Sequence, residues 1–271
     1  TAGCGHQAIA DIIAGEAIYT GSAITNTATI SCTAGTWIGD EPVLSFENNV
    51  NVGTATAKMT AGDATASTTF KINPANLSYA TVTLDPENGT YNGSAYTPNI
   101  TVSFDGAPLV KDTDYTLSWD KSGFTNADTY TVTVIGKGNY SGTKTAQFTI
   151  APMELDETNT VVTLDRNTFF YDGQSHKPTA SVTFNGVTLT AGVDYEVYYL
   201  SSDQIMKWEN GEPVKFFGTG KESCDSINAG QYFAVVFGKG NFADNGRFAY
   251  AAYTIEKATV TEPTIGSKTY D

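Results

Sequence analysis

Cysteine is scarce in this chain: Cys4, Cys32 and Cys224 are the three among 271 residues. A disulfide framework therefore does not organise the fold. Cys4 and Cys32 can pair, which would leave Cys224 over, and an odd count assigns no redox compartment. Basic charge is scarce too, 15 lysines and arginines against 29 acids for a formal net charge of −14. That argues against nucleic acid as a partner, because phosphates would be repelled, and disfavours anionic membrane surfaces for the same reason. No apolar run approaches the roughly 20 residues needed to cross a bilayer, so membrane insertion is not expected. The opening TAGCGHQAIADI lacks the basic start and apolar core of a signal peptide. The two histidines, His6 and His176, stand apart, and neither a C-x-x-C nor an H-x-x-x-H spacing is present, so no metal site is expected. No serine sits on a G-x-S-x-G elbow and the acids fall mostly in turns, so no catalytic residue and no cofactor are expected. Helical periodicity is absent beyond a turn near Gln7–Ile13.

What the chain does have is Thr, Asn, Gly and Val in short alternating runs, and it repeats itself. TLDPENGTYNGSAYTPNITVSFDGAPLVKDTDYTLSW (83–119) lies over TLDRNTFFYDGQSHKPTASVTFNGVTLTAGVDYEVYY (163–199) without a gap. Tyr91 meets Tyr171, Gly93 meets Gly173, Pro98 meets Pro178, Phe104 meets Phe184 and Asp114-Tyr115 meets Asp194-Tyr195, always 80 positions on. The match resumes between 126–150 and 228–255, where both copies carry Gly-Lys-Gly-Asn followed by an aromatic. A divergent copy precedes them: IYTGSAI (18–24), NVGTATAKMTAGD (51–63) and TTFKI (68–72) echo the later motifs but lack the Asp-Tyr pair and the Gly-Lys-Gly-Asn turn. After Ile255, ATVTEPTIGSKTYD resembles the beginning of another copy.

The units read as strands. Ile100, Val102 and Phe104 alternate with Thr101, Ser103 and Asp105, and Tyr130, Val132 and Val134 alternate with Thr129, Thr131 and Thr133, the two-residue period of a half-buried strand. Asn92-Gly93, Asp105-Gly106 and Asn185-Gly186 fall between runs as hairpin turns do. The fold class is therefore all-β, tandem antiparallel β-sandwiches arranged end to end. The expected divisions are 1–72, 73–150, 151–256 with an insertion at about 203–226, and 257–271 as the start of a further repeat or a terminal strand. Asp114 and Asp194, each before a core tyrosine, are expected to bond turn amides. The Gly-Lys-Gly-Asn turns lead into strands rather than helices, so they are hairpin turns and not phosphate cradles.

The run Tyr-x-Gly, a proline several residues on, a Val-x-Phe strand, Asp-Tyr and Gly-x-Gly-Asn-aromatic resembles the bacterial immunoglobulin-like repeats, including the MBG-type modules, over 81–150 and 161–255. The resemblance implies that each sandwich is immunoglobulin-like, in an all-β tandem arranged end to end, with an extracellular or bacterial cell-surface setting and a non-catalytic role as stalk, adhesin segment, spacer or phage particle decoration. Its partners would be other modules of the same parent protein, a glycan, or a host or cell-surface protein.

The third copy departs from its sister on one face. Thr116 and Ser118 become Glu196 and Tyr198, while Thr131, Thr133 and Ile135 become Phe233, Val235 and Phe237. An apolar strip of that kind is costly in water, about 25 cal/mol per Å². The neighbouring insertion, carrying Met206, Trp208, Phe216 and Phe217, is expected to fold back over it as a hairpin turning at Glu-Asn-Gly-Glu-Pro. The alternative is a carbohydrate-binding or partner platform made of Trp208, Tyr198, Phe216, Phe217, Phe233 and Phe237.

Overall fold

The computed structural model describes residues 8–32, 41–62, 64–209, 212–215, 223–243 and 247–260. The chain divides into two compact units: Thr1–Asn88 with Thr97–Phe124 and Thr129–Phe148, and Gly89–Tyr96 with Thr125–Asp128 and Thr149–Asp271.

In the first unit, the first repeat forms a sheet ordered Ala17–Ile18, Ala64–Asn73, Gly53–Ala61 and Val43–Glu47. A second sheet pairs Ala8–Ile13 antiparallel with Thr27–Cys32. The helical turn expected near Gln7–Ile13 is therefore corrected to a strand. Ile12 and Ile13 lie opposite Ala28 and Thr27 of the partner strand, and β-branched residues suit a pleated surface. Ala55, Ala57, Met59, Phe70 and Ile72 make the core of this repeat. The middle repeat pairs Thr81–Asp85 with Asn99–Phe104, and Tyr115–Trp119 with Asp128–Gly136 in the register Tyr115↔Gly136 to Trp119↔Val132. Leu77, Val102, Tyr115 and Val134 close its core. The predicted alternation holds, since Tyr130, Val132 and Val134 are buried and Ile135 is exposed.

In the second unit, the third repeat packs a sheet ordered Thr168–Phe170, Ala249–Glu256, Gly230–Gly238 and Tyr195–Ser201 against one of Thr160–Leu164, Ala180–Phe184 and Val187–Thr188. Leu155, Val182, Tyr195 and Val236 lie between them, and burial of each such side chain is worth about 1.5–3 kcal/mol. The buried Ser226 hydroxyl meets the Tyr253 hydroxyl at 2.6 Å, so neither lacks a partner. The chain is a tandem of immunoglobulin-like β-sandwiches, antiparallel except where the connector strands pair with the short strands after the glycine turns, Ala75↔Tyr140 and Met153↔Phe242, and along one further edge. There a short strand runs parallel to the last strand of its repeat, as in the pairs Ala17↔Ile72 and Phe169↔Ile255.

Those parallel edges place the Tyr-x-Gly motif. Immediately after the edge strand, the Tyr19 amide donates to the Asn73 carbonyl at 2.8 Å, Tyr91 to Ala151 at 2.8 Å and Tyr171 to Glu256 at 2.8 Å. One bond thus fixes the same tyrosine at the exit of each repeat.

Candidate functional site

The most organised polar arrangement lies where one repeat meets the next, and it occurs twice. The Gly-Lys-Gly-Asn turn builds it from below. Gly138 and Gly240 stand at φ +65° and +64°, a region that side chains disfavour. A Cβ on Gly136 would come within 2.7 Å of the Ser141 backbone, so the chain can double back only without one. The turn tightens through Tyr140 N–H donating to the Lys137 carbonyl and Phe242 N–H to the Lys239 carbonyl, both at 3.1 Å. The Asp-Tyr motif supports it from the side. The Asp114 and Asp194 carboxylates accept from the Val110 and Thr190 amides, each at 2.8 Å, as the sequence predicts. Their carbonyls accept from Lys137 N–H and Lys239 N–H, each at 2.9 Å. After each turn the chain doubles back into Thr143–Ala151 or Ala249–Glu256, the sheet neighbours of the strands before the turns, so these are hairpin connections.

The asparagine at the tip then reaches the preceding repeat. In the first unit, Asn139 Oδ1 accepts from the Val52 amide at 2.9 Å and Asn139 Nδ2 donates to Asn51 Oδ1 at 3.0 Å. In the second unit, Asn241 Oδ1 accepts from the Ala127 amide at 2.8 Å and Asn241 Nδ2 donates to Asn126 Oδ1 at 3.1 Å. Since a main-chain N–H can only donate, it fixes which amide atom faces it. The carbonyls of the same asparagines accept from the connecting segments, Asn139 from Ala75 at 3.1 Å and Asn241 from Met153 at 3.0 Å. Each asparagine therefore ties together the loop of one repeat, the connector and the turn of the next.

The aromatic after the asparagine completes the joint. Tyr140 meets Tyr19 edge to face with centroids 5.4 Å apart, and Phe242 meets Tyr91 at 5.5 Å in the same manner. Such pairs are worth about 0.5–1.5 kcal/mol beyond their buried area. Burial pushes the Tyr140 phenol above its ordinary value, with the neighbouring Tyr19 and Asp114 acting the same way, so it stays neutral. Beside each joint lies an equivalent groove: one of about 340 Å³ bounded by Tyr19, Phe104 and Tyr140, the other of about 330 Å³ bounded by Tyr91, Phe184 and Phe242.

The connector also carries an anchor. Leu77 and Leu155, each five residues past the last core isoleucine of the repeat before (Ile72 and Ile150), are fully buried in the repeat that follows.

No family model matches the chain and no curated protein matches it in sequence. Solved structures similar to it are themselves tandem immunoglobulin arrays. The three N-terminal domains of the bacteriophage RB49 highly immunogenic outer capsid protein align at 13% identity and a TM-score of 0.32, covering 93% of this chain and 98% of that one. The N-terminal four Ig domains of Dscam1 isoform 6.9 align at 11% identity and 0.29, covering 93% and 73%, and the I9–I11 tandem of titin at 12% identity and 0.26, covering 92% and 100%.

The sequence-predicted site lies elsewhere, on the outer face of the third repeat. The insertion does contain a hairpin: Met206–Glu209 pairs antiparallel with Glu212–Lys215, Glu209 opposite Glu212. Of Trp208 only the strand is described, and Phe216 and Phe217 lie outside the described residues. The face itself is packed. Val235 is wholly buried, Phe237 is 8% exposed, and the half-buried Tyr198, Phe233, Phe248 and Tyr250 pack against them and Leu200. Tyr198 meets Phe237 with centroids 5.7 Å apart, and its hydroxyl donates to Glu196 at 2.8 Å. Cys4 lies outside the described residues, so a pairing with Cys32 is not placed, while Cys224 is a half-buried free thiol beside Tyr199 and Tyr232. Sequence reasoning classed the Gly-Lys-Gly-Asn turn as local and so missed the joint. The available signal was the aromatic after each turn, recurring together with an earlier Tyr-x-Gly.

Proposed function

We propose that the chain is a non-catalytic structural and adhesive array, a stalk, spacer or fibre segment of a bacterial surface or secreted protein, whose partners are other modules of the same parent protein. The observation that supports this reading is the twice-built joint. The residues that recur most closely between repeats, Tyr-x-Gly, Asp-Tyr and Gly-Lys-Gly-Asn-aromatic, converge on holding one sandwich to the next. A chain whose recurrent polar residues serve its own joints is suited to transmitting position and force. The resemblance of the same motifs to MBG-type repeats supports the surface or secreted setting.

Two measurements test the proposal on the full chain. Single-molecule extension is expected to give a series of discrete unfolding events, with Asn139→Ala lowering the force at which the first one occurs. Affinity electrophoresis through gels containing a polysaccharide panel is expected to show no retardation. Retardation that disappears in Tyr198→Ala would overturn the purely structural reading in favour of glycan binding at the third repeat.

A further inference from the structure

The third repeat carries a complete copy of the surface that the first and middle repeats present to their successors. It consists of a tyrosine, a loop amide and a connector. Tyr171 is held by the same 2.8 Å bond as Tyr19 and Tyr91, yet the residue is 43% exposed while those two are half-buried, with their rings against Tyr140 and Phe242. Asn228-Ala229 stands where Asn51-Val52 and Asn126-Ala127 stand, at the start of the strand Gly230–Gly238, and Tyr232 Oη donates to the Asn228 carbonyl at 2.9 Å, steadying that loop. Ala229 is exposed, whereas Val52 and Ala127 are half-buried at their joints. In the connector, Val260 falls five residues past the core residue Ile255, the position of Leu77 and Leu155. Those leucines are fully buried, and Val260 is 89% exposed.

Resting on the reading of the joints given above, we infer that Tyr171, the Ala229 amide and the Ala258–Val260 connector form a docking seat for the Gly-x-Gly-Asn-aromatic turn of a further repeat that continues the chain from Val260. The asparagine of that turn would accept from Ala229 N–H and donate to the Asn228 side chain. Its aromatic would close on Tyr171, and Val260 would enter the new core. The occupant is defined by chemistry on the page, because the two existing seats hold this turn and nothing else in the chain offers it: Asn139 and Asn241 are already engaged. The first repeat makes the contrast. Where the others double back through the glycine turn, its strands Gly53–Ala61 and Ala64–Asn73 are joined directly at the pair Ala61↔Ala64, so it has a seat but no turn to offer.

The test extends residues 1–260 with a copy of residues 78–150, so that Val260 takes the place of Leu77. Amide exchange is then read residue by residue. The Ala229 amide is expected to exchange at least about fivefold more slowly than in the 271-residue chain, the effect of one added hydrogen bond, and to lose that protection when the asparagine of the copied turn is changed to alanine or when Tyr171→Ala is introduced. Unchanged exchange at Ala229, with the copied Val132 amide protected and the added repeat therefore folded, overturns the inference. If the copy of the middle repeat does not fold, the comparison is made with a copy of residues 156–256, whose turn carries Asn241. The parent chain with Asn139→Ala separates the two claims. Faster exchange at Val52 upholds the reading of the joints whatever happens at Ala229, and no change at Val52 overturns that reading itself.

Discussion

Replacing Asn139 is expected to loosen one joint without unfolding either sandwich. The alanine variant removes the acceptor of the Val52 amide at 2.9 Å and the donor to Asn51 at 3.0 Å, but it leaves the Asn139 carbonyl bonded to Ala75 and the glycine turn intact. A net hydrogen bond is worth about 0.5–1.5 kcal/mol, so the two together amount to about 1–3 kcal/mol. Asn139→Asp divides the effect: its carboxylate still accepts from Val52 but faces the Asn51 oxygen without a proton to offer, so it should fall between alanine and the native residue. The assay is residue-resolved amide exchange across the first unit. Val52 should exchange about tenfold faster in the alanine variant, while core amides such as Ala57 and Val132 keep their native protection. Equal loss at Val52 and Ala57 would mean that Asn139 stabilises a sandwich rather than a joint. Native exchange at Val52 in both variants would mean that the contact contributes nothing, and either result refutes the reasoning.

Three further outcomes are expected. Val235→Asp, which buries an unpaired charge at a wholly buried outer-face position, should destabilise the third repeat by about 3–5 kcal/mol in urea denaturation while the amides of the first repeat keep their protection. Gly142→Ala should cost about 1–3 kcal/mol in the same assay, because its φ is +74° and the added Cβ would lie 2.4 Å from Asn76 Oδ1; Asn76→Ala in the same chain should recover part of the loss. The Asp156 carboxyl is held below the usual range, first by the Thr158 hydroxyl and then by the Thr158 amide, against an opposing effect of burial, with the Asn159 amide and Arg247 adding to the lowering. Its stabilising contribution is therefore present above the unfolded carboxyl value of about 3.9 and lost as pH falls through the lower folded value, so Asp156→Asn should flatten that part of an acid-denaturation curve.

How much of this was legible in sequence can be seen residue by residue. The constant spacing from Tyr91 to Tyr171 and the alternation about Val132 gave the sandwiches, because side chains pointing to opposite faces leave a period of two in the text. In the first repeat the pattern faded where Glu41-Pro42 stand in place of the Asp-Tyr pair; the strand Val43–Glu47 is recoverable only from its pairing, Leu44 opposite Met59. The stretch near Gln7–Ile13 reads as a turn of helix although Ala8–Ile13 is a strand, because six mostly apolar residues interrupted by Asp11 hold too few periods to separate the two structures. The outer face of the third repeat reads as needing cover, since Val235 and Phe237 replace threonine and isoleucine, and both side chains are buried. The joints were not read, because Asn139 and Asn241 act on main-chain groups 87 and 114 positions away, and a main-chain amide leaves no letter in the sequence.

That last contact has an evolutionary consequence. Because the asparagine binds an amide that every non-proline residue possesses, the receiving position is free to vary, and it does so as Val52 and Ala127. A gene duplication that copies one such module therefore produces, in a single event, a neighbour already able to couple to its parent. Arrays of this kind can lengthen, shorten and diverge on their outer faces without compensating mutations at the points of attachment.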